Sequence, residues 1–473
     1  MKSPLLELLS RYKDKNRISF FMPGHKNGRG IPEEVKNNFF GIDVTELADT
    51  EDLHSPGDVL KKSQQAAAEF FGADESFFLV NGSTSGIFTM LMSCCERGDK
   101  VLINRRCHAS VINACITMGL IPVFAKHEII QKMNCPDSVS VCEIENILKK
   151  EKVSAIFVTS PDVYGFVADI KGISELADKY NVPLLVDEAH GAHFMASEKI
   201  FPKTALSSGA DMCVQSAHKT LNSPNQTSYL HIKSKKINYE RARKAFGIFQ
   251  TTSPCYPLVA AADEAWRELR ENGEKMWSRV HKSCMELREE LKDLIISPDR
   301  TWVRDCNFAD IDECRLTIDI SEYEMTGFEL CRKLREKYNI DIEMAELDRI
   351  VLIPTPSNSQ KDFDTLKRAL KEILTKAKKR EKVFSLEIPK TGERVILPDE
   401  TFFKAGEICD IKKAEGRISK ALILPYPPGI PLVVPGERIT REMIDYLVKI
   451  MESGAEVHGV SEWKTEVVKE DKK

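Results

Sequence analysis

The sequence lacks the features that mark several common classes of protein. No run of apolar residues approaches the ~20 that cross a bilayer, and the apolar stretch after Lys2 is interrupted by Glu7 and Arg11. We therefore expect neither a membrane span nor a signal peptide. Positive charge is not in excess, since 68 Lys and Arg residues against 72 Asp and Glu residues give a net charge of −4. Nucleic acid and anionic membranes are accordingly not expected as partners.

Two nucleotide-binding motifs and any ladder of paired cysteines are also missing. No GxGxxG follows an expected strand and no GxxxxGK[ST] occurs, so neither a dinucleotide-binding fold nor a P-loop is supported. The 13 cysteines are odd in number and form no CxxC pattern. That usage favours free thiols in a reducing compartment, and we expect a cytoplasmic protein.

The length and composition are those of a folded protein with more than one core. The chain has 473 residues, 42% of them apolar and 30% charged. Residues 1–60 are polar and predict an N-terminal arm without a core of its own. Residues 61–260 predict a large domain, and residues 261–382 predict a small α/β domain. Residues 383–473 predict a third, C-terminal unit rich in turns.

Alternating strands and helices define the expected fold class of the large domain. Seven short apolar runs are separated by helical stretches or loops, which predicts crossover connections and a mostly parallel sheet. The runs are 77–80, 101–103, 121–124, 155–158, 183–186, 212–214 and 229–232. In the small domain, Thr326-Gly-Phe-Glu329 predicts a capping box that opens a helix, and 340–344 predicts a strand. The class is therefore α/β, with a mostly parallel large-domain sheet and smaller α/β domains after it.

A first polar segment follows the strand predicted at 77–80. Asn81-Gly-Ser-Thr-Ser85 leads into a helical run, so free backbone N–H groups lie beside the hydroxyls of Thr84 and Ser85. Such a helix start is a site for a phosphate dianion. An ordinary helix cap is the alternative.

Two further strands end in residues that carry chemistry. Asp187 follows the run 183–186, at the carboxyl end of a strand, where open α/β sheets bind ligands. A metal site with His190 and His193 is the rival interpretation, and a structural carboxylate is the third. Lys219 follows the run 212–214. Among cationic neighbours its pKa would fall and its amine would become a nucleophile, although a lysine in such a place is usually just exposed.

The order of these three elements points to one cofactor. A phosphate site, then an acid, then a lysine suits a molecule that carries a phosphate, a basic ring nitrogen and an aldehyde. Pyridoxal 5′-phosphate has all three. Thr84 and Ser85 would bind its phosphate, Asp187 would keep its ring nitrogen protonated, and Lys219 would bond to its aldehyde.

Several motifs resemble those of the bacterial Orn/Lys/Arg decarboxylase family. They include Ser216-Ala-His-Lys-Thr220, Val186-Asp-Glu-Ala-His-Gly191, Asn81-Gly-Ser-Thr-Ser85, Pro23-Gly-His-Lys26 and Pro425-Tyr-Pro-Pro-Gly-Ile-Pro431. The resemblance runs from about residue 18 to 440. It implies a fold-type I pyridoxal-phosphate enzyme, with a large domain like that of aspartate aminotransferase. The chain is similar to the short form of the family, which implies arginine decarboxylation for polyamine synthesis.

The resemblance also implies roles for single residues. His108 stacks on the cofactor ring, His190 lies near that ring, and Ser83 belongs to the phosphate site. Ser216 and His218 match positions beside the phosphate and the lysine. Either His218 or Lys219 is expected to return a proton to the substrate Cα.

The resemblance further implies a shared active site. Thr252 and Ser253 match a segment that reaches the phosphate held by the partner subunit, so a homodimer or a higher homo-oligomer is expected. Arginine is the first expected substrate, followed by lysine or ornithine. Another fold-type I activity, such as an aminotransferase or a lyase, stays open, although no arginine clamp for a substrate carboxylate is evident. A non-catalytic binding protein is the remaining alternative, which the intact Lys219 disfavours.

Overall fold

The computed structural model describes residues 3–47, 49–382, 388–426 and 429–470. The helices are α1 (Pro4–Asp14), α2 (Glu33–Asn38), α3 (Asp58–Phe71), α4 (Gly82–Cys94), α5 (Ala109–Met118), α6 (Val141–Leu148), α7 (Ile170–Lys179), α8 (Ala217–Thr220), α9 (Tyr239–Phe249), α10 (Tyr256–Leu291), α11 (Gly327–Tyr338), α12 (Gln360–Thr375), α13 (Pro398–Phe403) and α14 (Arg441–Glu452). The strands are β1 (Ile18–Phe20), β2 (Glu75–Leu79), β3 (Lys100–Asn104), β4 (Ile121–Ala125), β5 (Ile129–Ile130), β6 (Cys135–Pro136), β7 (Ala155–Thr159), β8 (Phe166–Val167), β9 (Leu184–Asp187), β10 (Met212–Gln215), β11 (Ser228–Ile232), β12 (Asp310–Ile311), β13 (Leu316–Asp319), β14 (Ile340–Ile342), β15 (Met344–Ala345), β16 (Arg349–Leu352), β17 (Gly406–Asp410), β18 (Leu424–Tyr426), β19 (Glu456–His458), β20 (Val460–Ser461) and β21 (Lys464–Val468).

The large domain is built on one seven-stranded sheet. Its strand order is β2-β11-β10-β9-β7-β3-β4. Strand β11 is antiparallel to both of its neighbours, and every other adjacent pair is parallel. These strands are the seven predicted from the apolar runs, with ends that differ by a residue or two. The predicted α/β fold with a mostly parallel sheet is confirmed.

Both faces of this sheet are covered, which explains its unbroken apolar runs. Along β9, Leu185 belongs to one hydrophobic core, whereas Leu184 and Val186 belong to the core on the opposite face. Residues of a strand alternate between faces, so a strand buried on both sides needs apolar residues at every position. A polar residue at the carboxyl end of such a strand therefore lies beside the carboxyl ends of the neighbouring parallel strands.

The arm and the small domain pack together. Strand β1 pairs in parallel with β14, and Phe20 is fully buried with its ring edge against Phe363 at 5.6 Å. Thr326 and Glu329 form the predicted capping box at the start of α11. Helix α10 crosses the boundary expected between residues 260 and 261, so one continuous helix links the two regions. The division into domains stays a prediction.

The C-terminal unit has its own hydrophobic core and a three-stranded sheet of order β17-β21-β20. The proline-rich stretch 421–434 contains the short strand β18, and its described residues, 421–426 and 429–434, include no helix. Across the described ranges, no helix combines the length and the apolar character needed to cross a membrane. Within the same ranges every cysteine is a free thiol.

Candidate active site

Lys219 lies in a short helical turn directly after β10, an interior strand of the sheet. Its Nζ atom is 3.0 Å from Nε2 of His190, and the other ring nitrogen of His190 is 3.2 Å from Nη2 of Arg315. Withdrawal from water lowers the pKa of the Lys219 amine, and the charge of Arg315 lowers it further, whereas Asp187 and Glu343 raise it. The pKa of Lys219 is therefore lowered mainly by burial, and the cationic neighbour Arg315 adds a smaller contribution in the same direction.

Asp187 ends β9, and in the register of the sheet it lies opposite Val214 of β10. The carboxylate is buried and accepts a hydrogen bond from the backbone N–H of Ala189 at 3.1 Å. Burial raises the pKa of Asp187, and Lys219 is close enough to oppose that rise. The topology of parallel strands thus brings the predicted acid and the predicted lysine together.

The start of α4 faces the turn that carries Lys219. The side chain of Asn81 does not cap this helix, which leaves the N–H groups of its first turn to other partners. The Ser83 hydroxyl is 2.6 Å from that of Ser216 and 3.1 Å from that of Ser228. Thr84 is exposed at the same end. These hydroxyls lie at one end of the group of side chains around the Lys219 amine, which we call the cleft.

Ser85 is placed differently from its neighbours. Its hydroxyl is buried, donates to the carbonyl of Gly82 at 2.8 Å and accepts from the amide of Gln250 at 2.8 Å. A hydroxyl has one proton to donate, and this one already has an acceptor within the protein. The side chain of Ser85 therefore supports the helix start, while its backbone N–H belongs to the first turn.

His108 and His218 border the same cleft. His108 caps α5 by accepting from the N–H of Ser110 at 3.2 Å, and desolvation followed by the charge of Lys219 lowers its pKa to about 4. His218 lies 2.8 Å through Nδ1 from the carbonyl of Thr227, and burial lowers its pKa to about 4. Both rings are therefore neutral at neutral pH.

Thr252 and Ser253 are not brought to this cluster within the chain. Both are exposed in the loop before α10, where the N–H of Ser253 donates to the hydroxyl of Thr251 at 3.3 Å. Side chains that bind the phosphate of a partner subunit must be exposed on their own subunit, and Thr252 and Ser253 are. Their contribution to a second subunit stays a prediction.

His193, offered as a metal ligand with His190, points elsewhere. It lies 3.2 Å from the carboxylate of Asp312 and stacks on Trp277 with ring centroids 4.2 Å apart. His190 is instead engaged by Lys219 and Arg315. In the part of the chain that the structure describes, no three His, Cys, Asp or Glu side chains lie together as a metal site requires.

Sequence reasoning missed several contributors to the site, among them Arg315 and Gly24. Arg315 precedes β13 and is buried beside His190, although no arginine was evident from the motifs. Gly24 donates from its N–H to the carbonyl of His218 at 2.6 Å, so the arm packs directly on the lysine turn. For Gly24 the motif Pro23-Gly-His-Lys26 was a usable signal. For Arg315 the local sequence offers none.

The residues present fit pyridoxal 5′-phosphate. An amine of lowered pKa, a buried carboxylate on the adjacent strand and a helix start with hydroxyls converge on one cleft. The Thr220 hydroxyl, next to the lysine, is buried without a hydrogen-bond partner among the described residues. With the mostly parallel sheet, this donor set defines a pyridoxal-phosphate enzyme of fold type I.

Comparison with known proteins specifies the family. Residues 3–362 match the Orn/Lys/Arg decarboxylase major domain, and residues 393–470 match the C-terminal domain of that family. The chain belongs to the Orn/Lys/Arg decarboxylase family, and it is a pyridoxal-phosphate-dependent decarboxylase. Both the predicted family and the predicted cofactor are confirmed.

Individual relatives agree over nearly the whole chain. The arginine decarboxylase of Bacillus anthracis is 32% identical over 469 residues, which cover 97% of this chain and 95% of that protein. The arginine decarboxylase of Bacillus subtilis is 32% identical over 468 residues, with the same two shares. Among solved structures, the constitutive lysine decarboxylase of E. coli has a TM-score of 0.75 at 19% identity, covering 99% of this chain and 82% of that one. The last likeness concerns the fold.

Proposed function

We propose that this enzyme converts L-arginine to agmatine and CO2, a reaction that supplies polyamine synthesis. The supporting observation is the near full-length similarity, at 32% identity, to two Bacillus proteins named arginine decarboxylases. Lysine and ornithine are the alternative substrates, because all three amino acids present the same reacting carbon and differ only in the length of the side chain and the group at its end.

Four parts of the cleft hold the cofactor. Lys219 would bond to its aldehyde, Asp187 would pair with its ring nitrogen, and His108 would pack against its ring. The first turn of α4, with Ser83, Thr84 and Ser216 beside it, would hold the phosphate through N–H and hydroxyl donors. Bound there, pyridoxal phosphate supplies an electron sink for the pair released when the Cα–carboxylate bond breaks.

The protein controls charge and protons around that reaction. The buried Asp187 carboxylate would stabilise a proton on the ring nitrogen of the bound cofactor, since a buried charge needs a partner of opposite sign. Lys219 or His218 returns a proton to Cα. Lys219 suits this role because burial lowers the pKa of its amine, which makes the protonated amine a better proton donor.

The active site is completed by a second subunit. Thr252 and Ser253 are exposed, and so are three apolar side chains: Leu47 and Val59, on either side of His54 in sequence, and Ile248, shortly before the loop, are 59%, 73% and 64% exposed. The segment around His54 contacts this loop directly, because His54 Nε2 lies 2.7 Å from the carbonyl oxygen of Thr251. Apolar side chains grouped beside a hydroxyl pair suit a subunit interface that also reaches a phosphate.

Mixed dimers test this arrangement. Lys219→Ala subunits are combined with Thr252→Ala, Ser253→Ala subunits, each inactive or impaired alone. If the hydroxyls serve the neighbouring site, one site of each mixed dimer has every group and activity returns. Exchange of subunits, followed by differently tagged chains, without any recovery would assign the hydroxyls to their own subunit.

Substrate choice is tested by product formation from arginine, lysine and ornithine with added pyridoxal phosphate. We expect kcat/KM to be highest for arginine, with stoichiometric agmatine and CO2. A preference for lysine or ornithine would replace the substrate and leave the reaction intact. Dependence on a 2-oxo acid acceptor would indicate an aminotransferase, and absence of turnover with bound cofactor would indicate a binding protein.

A further inference from the structure

Three buried or half-buried side chains form a continuous chain of contacts that ends at the Lys219 amine. Arg315 Nη2 lies 3.2 Å from His190 Nδ1, and His190 Nε2 lies 3.0 Å from Lys219 Nζ. The first member is 125 residues from His190 in sequence. The last lies 29 residues from it.

The chemistry of the first contact decides that of the second. A guanidinium group has only N–H donors and stays protonated in proteins. His190 Nδ1 must therefore accept the proton of Arg315, and a neutral imidazole that accepts at Nδ1 carries its hydrogen on Nε2. That N–H points at Lys219. An ammonium group also has only donors, so Lys219 completes the contact only as a neutral amine with its lone pair toward His190.

We propose that Arg315 is a positioning residue that fixes His190 as the Nε2–H tautomer and thereby holds Lys219 as the neutral amine. The inference rests on the proposed role of Lys219 as the lysine that binds the cofactor. A neutral amine has the free lone pair that bonding to an aldehyde and accepting a proton both require.

The charged and titratable groups around the three contacting side chains have opposite effects on the protonation of Lys219. Asp187 and Glu343 favour the ammonium form of Lys219, while burial and Arg315 oppose it. His190 faces Lys219, Arg315, His108 and His218, and burial and then these groups lower its pKa well below the usual value. Burial therefore favours a neutral His190, and the hydrogen bond from Arg315 selects its tautomer.

His218 provides a contrast within the same cleft. Its Nδ1 lies 2.8 Å from the carbonyl of Thr227. A carbonyl only accepts, so His218 carries its hydrogen on Nδ1. The two histidines next to Lys219 are thus expected in opposite tautomers, which gives the experiment an internal reference.

Nitrogen NMR of the full-length protein freed of cofactor tests the proposal directly. The protein is labelled with ¹⁵N-histidine, and signals are assigned by His190→Gln and His218→Asn. At neutral pH we expect a pyrrole-like Nε2 and a pyridine-like Nδ1 for His190, and the reverse for His218. A hydrogen on Nδ1 of His190, or a doubly protonated ring, would overturn the proposal without any substitution at Arg315.

Variants of Arg315 test the effect on Lys219. Arg315→Lys keeps a donor toward His190 and should keep its tautomer, whereas Arg315→Met removes the donor and should release it. Competitive acetylation of the cofactor-free protein reports the reactive free-base fraction of Lys219. We expect that fraction to fall by about tenfold or more in Arg315→Met, since one pKa unit is a factor of ten, and to stay near wild type in Arg315→Lys.

The outcomes separate this inference from the proposed function. Borohydride labelling of another lysine would remove the role of Lys219, whatever the tautomer of His190. Labelling of Lys219 together with an unchanged His190 tautomer in a folded Arg315→Met protein would overturn the inference alone. If Arg315→Met does not fold, the NMR spectrum of the wild-type protein still tests the inference, because a hydrogen on Nε2 of His190 supports it and a hydrogen on Nδ1 overturns it.

Discussion

Arg105 and Glu437 form a buried ion pair, with 3.1 Å between Nη2 and Oε2 and only 6% and 3% of their side chains exposed. Arg105 also donates to the carbonyl of Leu432 at 3.0 Å, and Glu437 accepts from the N–H of Val434 at 2.8 Å. Arg105 stands three residues before His108. The pair therefore anchors the C-terminal unit to the loop that carries a proposed cofactor contact.

Removing one partner of this pair should be strongly destabilising. Arg105→Met leaves the Glu437 carboxylate buried without its cation, which should lower the free energy of unfolding by about 3–5 kcal/mol. Urea denaturation measures the change. Adding Glu437→Gln should recover a large part of the loss. A loss as small as that from breaking the exposed pair Lys62–Asp58 would contradict this role.

Borohydride reduction of the holoenzyme should place the cofactor label on Lys219, as peptide mapping by mass spectrometry would show. Lys219→Ala should fold normally, because the side chain ends in the cleft, and should lose at least about 10²-fold in turnover. Lys26 is the critical comparison, since it is also buried but donates to the carbonyl of Ile353 at 2.8 Å. A label on Lys26 would refute the assignment.

Asp187→Asn should retain the cofactor and slow decarboxylation by orders of magnitude. A neutral amide does not hold a proton on the ring nitrogen, and each pKa unit lost there is worth about 1.4 kcal/mol. Cofactor content and turnover are measured on the same samples. Glu188→Gln is the control, because Glu188 is the neighbouring buried acid and both of its oxygens already accept hydrogen bonds within the protein, from the N–H of Ala205 and the amide of Gln215, each at 2.7 Å. Equal losses in both variants, or recovery with zinc, would argue against this role of Asp187.

Gly24→Ala should disturb the lysine turn. A Cβ atom at Gly24 would lie 2.3 Å from the carbonyl oxygen of Leu221 and 2.9 Å from the carbonyl carbon of Thr220. Backbone must move to admit it, at a cost of roughly 1–3 kcal/mol. Gly247→Ala is the control, since its nearest atom would be 3.7 Å away and an alanine suits the helix. Thermal unfolding should show a lower Tm for the first variant only.

His231 should make the protein less stable in mild acid. Burial lowers its pKa from 6.5 to about 3 in the folded state, so below about pH 6.5 the unfolded state binds a proton that the folded state does not. The free energy of unfolding should thus fall by about 1.4 kcal/mol between about pH 7.5 and 5.5 from this residue alone. In His231→Gln that part of the pH dependence should vanish. Equal slopes for the two proteins in urea titrations would rule it out.

Local pattern predicted much of the backbone. Apolar runs gave the strands of the large sheet because burial on both faces selects apolar residues at every position. The prediction of a single strand over 340–344 was wrong, since it divides into β14 and β15. Glu343, between them, turns its carboxylate to the N–H of Met22 at 2.9 Å. A contact with the arm, 321 residues away in sequence, was not readable from the strand itself.

The sequence by itself determined the meeting of Asp187 and Lys219. Each follows a buried strand, and the ends of parallel strands converge by geometry alone. Only the tertiary structure decided what surrounds them. Arg315 reaches His190 from the residue just before β13, and Gly24 reaches the lysine turn from the N-terminal segment. These contacts join segments far apart in the chain, where hydrogen-bond partners are set by how the domains pack and not by any local pattern.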